Sequence, residues 1–232
     1  MEEGSAMIDS PIHYEEVAPM PNEEQRRLFS LKQELSFRML ELHGWCSFEK
    51  ACFLVDLIAK TKPHVIVEIG VWGGKSLIPM AYALRNNNQG TIFGIDPWLS
   101  QESTQWTLDE ANRNFWDHAN HEWVYQHLIE KIAQFGVAPQ IQLLRCTSEA
   151  AEPIQRIDIL HIDGNHSDPT SYLDVTKWVP LVNSGGWIIF DDMTWSENGM
   201  GTTARAARWL DEHCHKFAEF TDVCTWGVWV KP

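Results

Sequence analysis

The sequence predicts an α/β fold: a doubly wound, mostly parallel seven-stranded sheet finished by a C-terminal antiparallel hairpin. Three observations carry that reading. Five short apolar runs, at 64–69, 91–95, 141–144, 157–162 and 187–190, lack the in–out alternation of a half-exposed strand and suit strands buried on both faces. Helical stretches at 76–84, 106–135, 169–178 and 202–213 lie between them, so strand and helix alternate as right-handed βαβ units. The last two strand-like runs, 217–221 and 225–230, are separated only by Asp222-Val223-Cys224, too few residues to cross over, so they must pair antiparallel.

Ahead of the first strand, residues 1–24 are acidic and carry Pro11, Pro19 and Pro21, which reads as an arm or lid. Residues 25–232 then form a single domain. It opens with a helix whose apolar residues, Leu28, Leu31, Leu35, Phe37, Met39 and Leu40, recur at roughly helical spacing until Gly44. Ser47 is placed to cap a second helix that runs to Ile58. The stretch at about 97–139 exceeds what one crossover helix needs. Its aromatics, Trp98, Trp106, Phe115, Trp116, Trp123 and Tyr125, mark it as an insertion near the ligand-binding edge.

Composition narrows the function classes. The chain has 232 residues, 44% apolar and 22% charged, which suits one globular domain. A net charge of −14 is the wrong sign for neutralising phosphates, so no nucleic-acid partner is expected. No apolar run approaches bilayer length, and Met1-Glu2-Glu3 lacks the basic region of a signal peptide, so the expectation is a cytoplasmic protein without membrane contact. The five cysteines contain no C-x-x-C pair and signal neither a disulfide framework nor zinc. In His213-Cys214-His215, adjacent residues on a helix point in different directions, so the triplet is not read as a metal site. Twelve tryptophans are expected in the core or in a pocket wall. The leading helix is free to pack on a partner subunit or to close the sheet, so the oligomeric state is open.

The chemistry gathers at strand ends. Glu68-Ile69-Gly70-Val71-Trp72-Gly73-Gly74 leads from a buried strand into a helix, the arrangement that brings backbone N–H groups to a ligand. The dinucleotide fingerprint requires glycine where Trp72 stands, and Glu68 would repel a pyrophosphate. A carboxylate there suits a ligand with a positive amine. The loop therefore reads as a site for an adenosine-containing cofactor. Asp96, at the end of the second strand, is placed to accept both hydroxyls of a ribose. Cys146-Thr147-Ser148, after the third strand, is a turn that could line an adenine pocket.

The E-x-G-x-x-G-G loop, the acid at Asp96 and the terminal hairpin resemble the class I S-adenosylmethionine-dependent methyltransferases, over roughly residues 45–232. More narrowly, residues 67–76, His161-Ile162-Asp163-Gly164-Asn165-His166 and Gly185-Gly186-Trp187-Ile188-Ile189-Phe190-Asp191-Asp192 resemble the branch of macrocin O-methyltransferases and cephalosporin-hydroxylase-like proteins. The resemblance implies a Rossmann-like fold and S-adenosyl-L-methionine bound by Glu68, Gly70, Trp72, Gly74, Ser76, Asp96, Ser148 and Asp163. The branch's sugar O-methyltransferases use a divalent metal, and the resemblance implies one here.

Residue chemistry points the same way. Asp163, Asp191 and Asp192 follow two strands whose ends share one sheet edge, and three gathered carboxylates repel one another unless a cation or proton intervenes. With no cysteine among them, such a site favours Mg²⁺, Mn²⁺ or Ca²⁺. The cation would lower the pKa of a substrate hydroxyl. The macrocin-type pattern has an aspartate where this chain has Asn165, which cannot take a proton; His166 is the nearest replacement as base, with Asp163 beside it as the second catalytic residue. His161, inside a strand, reads as a bonded core residue. The expected reaction is O-methylation of a small hydroxylated sugar or aromatic metabolite, its pocket built from the arm, the 97–139 insertion and residues 194–203. The rivals are an NAD(P)-dependent oxidoreductase, which Trp72 and Glu68 oppose, and a cofactor-binding protein of this fold without methyltransferase activity.

Overall fold

The computed structural model describes residues 22–232, so most of the arm expected at 1–24 lies outside the described residues. Residues 22–24, read from the sequence as its end, instead begin helix α1 (Glu23–Arg38). Asn22 Oδ1 accepts from the Gln25 N–H and Gln25 Oε1 accepts from the Asn22 N–H, both at 2.8 Å, a reciprocal cap that satisfies two orphan donors. Helix α2 (Phe48–Thr61) starts on Ser47 as expected, and runs three residues beyond Ile58 before a left-handed Lys62 and Pro63 stop it.

The five parallel strands are β1 (Val65–Ile69), β2 (Thr91–Ile95), β3 (Ile141–Leu144), β4 (Ile157–Ile162) and β5 (Val182–Phe190). Helix α3 (Leu77–Asn87) joins β1 to β2. Between β2 and β3 the insertion holds α4 (Ser100–Ser103), α5 (Glu110–His118) and α6 (His121–Gln134). The single helix expected at 106–135 is broken because Asn120 turns its side chain back to accept from the Trp123 N–H at 3.0 Å, capping a new helix. Helix α7 (Asp168–Trp178) joins β4 to β5. After β5, a small ribbon of β6 (Ser196–Glu197) and β7 (Met200–Gly201) turns on Asn198-Gly199, both with positive φ, and α8 (Ala204–His213) leads into the terminal hairpin of β8 (His215–Thr221) and β9 (Thr225–Val230).

The sheet order is β3-β2-β1-β4-β5-β9-β8, with β9 antiparallel to both of its neighbours. The predicted fold class is the observed one. Side chains alternate along each strand, so Ile66, Ile92 and Ile159 pack beneath α2 and α3, while Val67, Leu160 and Ile162 join Val175, Trp178 and Leu210 on the other face. The order reverses beside β1, whose neighbours are β2 and β4, and a crevice opens at the carboxyl ends of the strands there. Among the described residues no helix is long and apolar enough to cross a membrane.

Candidate functional site

The glycine loop stands at that crevice, but its glycines are required by the protein itself. A Cβ on Gly70 would lie 1.9 Å from the Asp163 carbonyl oxygen, one on Gly73 2.5 Å from the His43 carbonyl, and one on Gly74 2.4 Å from Leu128 Cδ1. Trp72 takes a left-handed φ of 48°, unusual for a bulky residue. Two residues hold it there. Asp96 Oδ2 accepts from the Val71 and Trp72 N–H groups at 3.1 and 2.9 Å, and the Trp98 indole N–H donates to the Trp72 carbonyl at 2.9 Å. Asp96 Oδ1 accepts from the Trp98 N–H at 2.7 Å.

This revises the part expected of Asp96. A carboxylate offers about four acceptor positions, and three are filled by backbone amides, so it cannot accept both hydroxyls of a ribose without letting the loop go. Burial pushes its pKa up, although the three amides oppose that. Glu68 and Gly74 stand behind the crevice and not on its wall. Glu68 is fully buried; its Oε1 accepts from the Ser76 hydroxyl and lies 2.9 Å from His161 Nδ1, while Oε2 has no partner. Gly70, Trp72, Ser76 and Asp96 do line the crevice.

Ser148 was expected beside an adenine, yet it lies under α7, buried, with its hydroxyl donating to Asp174. Burial raises the Asp174 carboxyl to about 7. The folded chain therefore holds this proton more tightly than the unfolded chain. Stability fully present below the ordinary carboxylate range is lost as pH rises to about 7, on the order of 4 kcal/mol at about 1.4 kcal/mol per unit. Chemical denaturation of Asp174→Asn is expected to remove that slope between pH 4 and 7.

The acidic trio separates into two layers. Asp191 is salt-bridged to Lys50, a lysine only 2% exposed that reaches in from the first turn of α2 and also lies 3.1 Å from His161 Nε2. His161 and Glu68 are register partners on β4 and β1, which is why their side chains meet. The buried quartet of Glu68, His161, Lys50 and Asp191 thus contains two acids and two bases. Burial and Lys50 work against charge on His161, but Asp191 and Glu68 raise it to about 9. Burial would raise the Asp191 carboxyl, yet Lys50 and His161 bring it well below the usual range.

The outer layer faces the crevice. Asp163, His166 and Asp192 bring ligand atoms within 4.8 Å of one another, as do His161, Asp163 and Asp191 behind them. The expected trio of Asp163, Asp191 and Asp192 is therefore not one group: Asp163 is shared, while Asp191 belongs to the inner group and Asp192, with a left-handed φ of 52°, to the outer. Burial, then the charge of Asp191, push the Asp163 carboxyl well above its ordinary range. Burial raises Asp192 as well, opposed by His166, whose Nε2 lies 3.2 Å from Asp192 Oδ2.

The insertion forms the roof. The Asn165 amide donates to the carbonyls of Glu102, Ser103 and Gln105 at 3.0, 3.3 and 3.1 Å, and its oxygen accepts from the Ser167 N–H. An aspartate there would meet three carbonyl oxygens with no proton to offer. Buried Glu197, on β6, accepts from the Leu108 N–H at 2.6 Å and the Asn112 amide at 2.9 Å. Under this roof lies a cavity of about 510 Å³. Trp45, Trp72, Phe115 and Trp116 supply an aromatic wall, with ring centroids 5.0–6.0 Å apart in edge-on contacts, and Asp163, His166 and Asp192 line the same cavity.

Comparison with known proteins is consistent with this architecture. Residues 67–193, more than half of the chain, match the family model described as a methyltransferase domain. An uncharacterized protein of Sinorhizobium fredii (strain NBRC 101917 / NGR234), y4gI, is 27% identical over 149 residues, 62% of this chain; that stretch covers 15% of the relative's length. The O-methyltransferase NovP superposes with a TM-score of 0.66 at 16% identity, over 90% of this chain and 99% of that one. The O-methyltransferase TomG from Streptomyces achromogenes, involved in tomaymycin synthesis and solved with S-adenosylmethionine, gives 0.59 at 15%, over 91% and 90% of the two chains. An O-methyltransferase from Bacillus cereus, solved with S-adenosylhomocysteine, gives 0.59 at 14%, over 92% and 94%. At these identities the solved structures show a shared fold.

Proposed function

The chain belongs to the methyltransferase domain family, and on that premise we propose that it transfers a methyl group from S-adenosylmethionine to a hydroxyl of a small sugar or aromatic metabolite, assisted by a divalent cation. The observation that carries this reading is one cavity lined both by the pinned glycine loop and by the group of Asp163, Asp192 and His166, with Asp163 packed against Gly70. A cavity of about 510 Å³ is in the range that encloses small ligands.

S-adenosylmethionine would supply an electrophilic methyl on its sulfonium. Gly70, Trp72, Ser76 and Asp163 are the residues of the loop and the β4 end that face it, and Asp96, also on the cavity wall, keeps the loop in shape. The carboxylates of Asp163 and Asp192 converge with the His166 ring within 4.8 Å on the cavity wall, so the donor chemistry fits a cation held by Asp163 and Asp192. A divalent ion would supply a Lewis acid that lowers the pKa of a bound hydroxyl. With the imidazole Nε2 set against Asp192, the carboxylate fixes the ring of His166 and leaves its other nitrogen to take the acceptor's proton. Asn165 takes no proton; it holds the roof.

Acceptor charge is restricted by the same wall. Among the described residues no arginine lines the cavity; of the two lysines that do, Lys50 is paired with Asp191 and Lys75 donates to the Gly44 carbonyl. Phosphorylated or thioester-nucleotide acceptors would lack a counterion there. The test is calorimetry with S-adenosylmethionine and S-adenosylhomocysteine, followed by turnover on a panel of sugars and phenols with Mg²⁺ or Mn²⁺. Binding of both cofactor forms, and at least roughly tenfold preference for uncharged over phosphorylated acceptors, is expected. Absence of binding for either form, or tight binding of NADH instead, would overturn the reading.

A further inference from the structure

We propose that Lys50 is a tethered cation that fills the inner of two overlapping cation positions, leaving only the outer one for a free divalent ion. The two groups of ligand atoms share Asp163: His161, Asp163 and Asp191 inside, and Asp163, His166 and Asp192 outside. The Lys50 ammonium donates to Asp191 Oδ2 and lies 3.1 Å from His161 Nε2, so it touches two of the three inner members. It stands 5.5 Å from the ring centre of buried Trp226. Lysine is almost never fully buried unless paired. This one is set by its helix: the Ser47 oxygen that caps α2 accepts from the Lys50 N–H at 2.9 Å, and the Ser47 hydroxyl donates to Asp222 in the terminal hairpin.

Two further facts indicate what the inner position would take without Lys50. Asp191 Oδ1 is buried and has no hydrogen-bond partner, so the single ammonium does not use all the acceptor capacity there. An imidazole with two carboxylates is a mixed nitrogen–oxygen set that first-row divalent ions accept. While Lys50 is present its charge occupies that set and also repels a second cation at Asp163, the member that the two groups share. The consequence is a site that holds one free divalent ion at the crevice and cannot slide it inward, away from the acceptor.

This inference uses the cation part of the proposed function and is independent of the acceptor's identity. Its test needs no turnover: Mn²⁺ alone is titrated into the metal-free full chain and followed by electron paramagnetic resonance. Lys50→Met is expected to bind Mn²⁺ at least tenfold more tightly than the unmodified chain, or to bind one more equivalent. Adding Asp191→Asn to that variant is expected to return binding to the starting level. Unchanged or weaker binding by Lys50→Met overturns the inference. If Lys50→Met does not fold, the double variant, which removes both charges of the buried pair, is expected to fold and to bind as the unmodified chain does. A double variant that also fails to fold, or that binds more tightly, overturns it too. Should the unmodified chain bind no Mn²⁺, the outer site of the functional reading fails, while the difference between variant and unmodified chain still decides the role of Lys50.

Discussion

Asp163→Asn is expected to lower methyl transfer by roughly a hundred- to a thousandfold while the protein stays folded. The substitution keeps the shape of the side chain and removes only its charge. Its backbone is fixed independently, because the Asp163 N–H donates to the Ile69 carbonyl at 2.8 Å. Asp163 is the one residue shared by both groups of converging ligand atoms, so no neighbour can replace it in both. The folded state should not suffer. Burial and then Asp191 hold this carboxyl's pKa above its unfolded value, so folded protein binds its proton more tightly, and stability present at low pH is lost as pH rises through the raised value. Asparagine has no such loss. The stability of Asp163→Asn relative to the unmodified chain is therefore expected to grow with pH above the ordinary carboxylate range, measured by urea denaturation. Calorimetry separates the two sides of the reaction: unchanged S-adenosylhomocysteine affinity with lost turnover assigns Asp163 to the acceptor, and a parallel loss assigns it to both. Turnover within threefold of the unmodified chain would remove Asp163 from the mechanism.

How far the sequence reaches can be argued residue by residue. The five buried strands were readable because their β-branched runs sit between helical stretches, and the hairpin because three residues cannot make a crossover. Strand β5 was read short because Gly185-Gly186 interrupts its apolar run, and its pairing with β4 is irregular at that point. The break between α5 and α6 rests on one side chain, Asn120, folding back on its own chain, which hydrophobic spacing does not report. At the site, chain order brought out Asp163, Asp191 and Asp192 but not the partition between them, which depends on a lysine from an element far away in sequence. A signal for Lys50 existed. It lies four and eight residues before Leu54 and Ile58 on the buried stripe of α2, where a lysine must find a partner. Asp96 shows the opposite failure. Its type and position suit a ribose, but only the fold reveals that three backbone amides have taken its oxygens.

Gly70→Ala is expected to destabilise the chain by roughly 3–5 kcal/mol, combining a left-handed backbone with overpacking. Both causes are visible at this position. Its φ is +83°, a region that L side chains rarely adopt, and the added Cβ would lie 1.9 Å from the Asp163 carbonyl oxygen and 2.7 Å from the Gly164 nitrogen. Neither contact is the end of a flexible side chain. Relief requires the end of β4 to move away from β1, which would break the Asp163 N–H bond to the Ile69 carbonyl. That separates this glycine from Gly185, which also has positive φ but meets nothing within 4 Å, so Gly185→Ala is expected to cost about 1 kcal/mol. For a domain of this size the difference corresponds to about 10 °C in Tm, easily read by calorimetry. A glycine at this place can serve either a ligand that meets bare backbone or the packing of the chain itself. If Gly70→Ala melts like Gly185→Ala yet loses cofactor binding, the loop's glycine serves the ligand. If it melts far lower, as the contacts require, Gly70 is there to let β1 and β4 close on each other, and that closure sets Asp163 at the crevice.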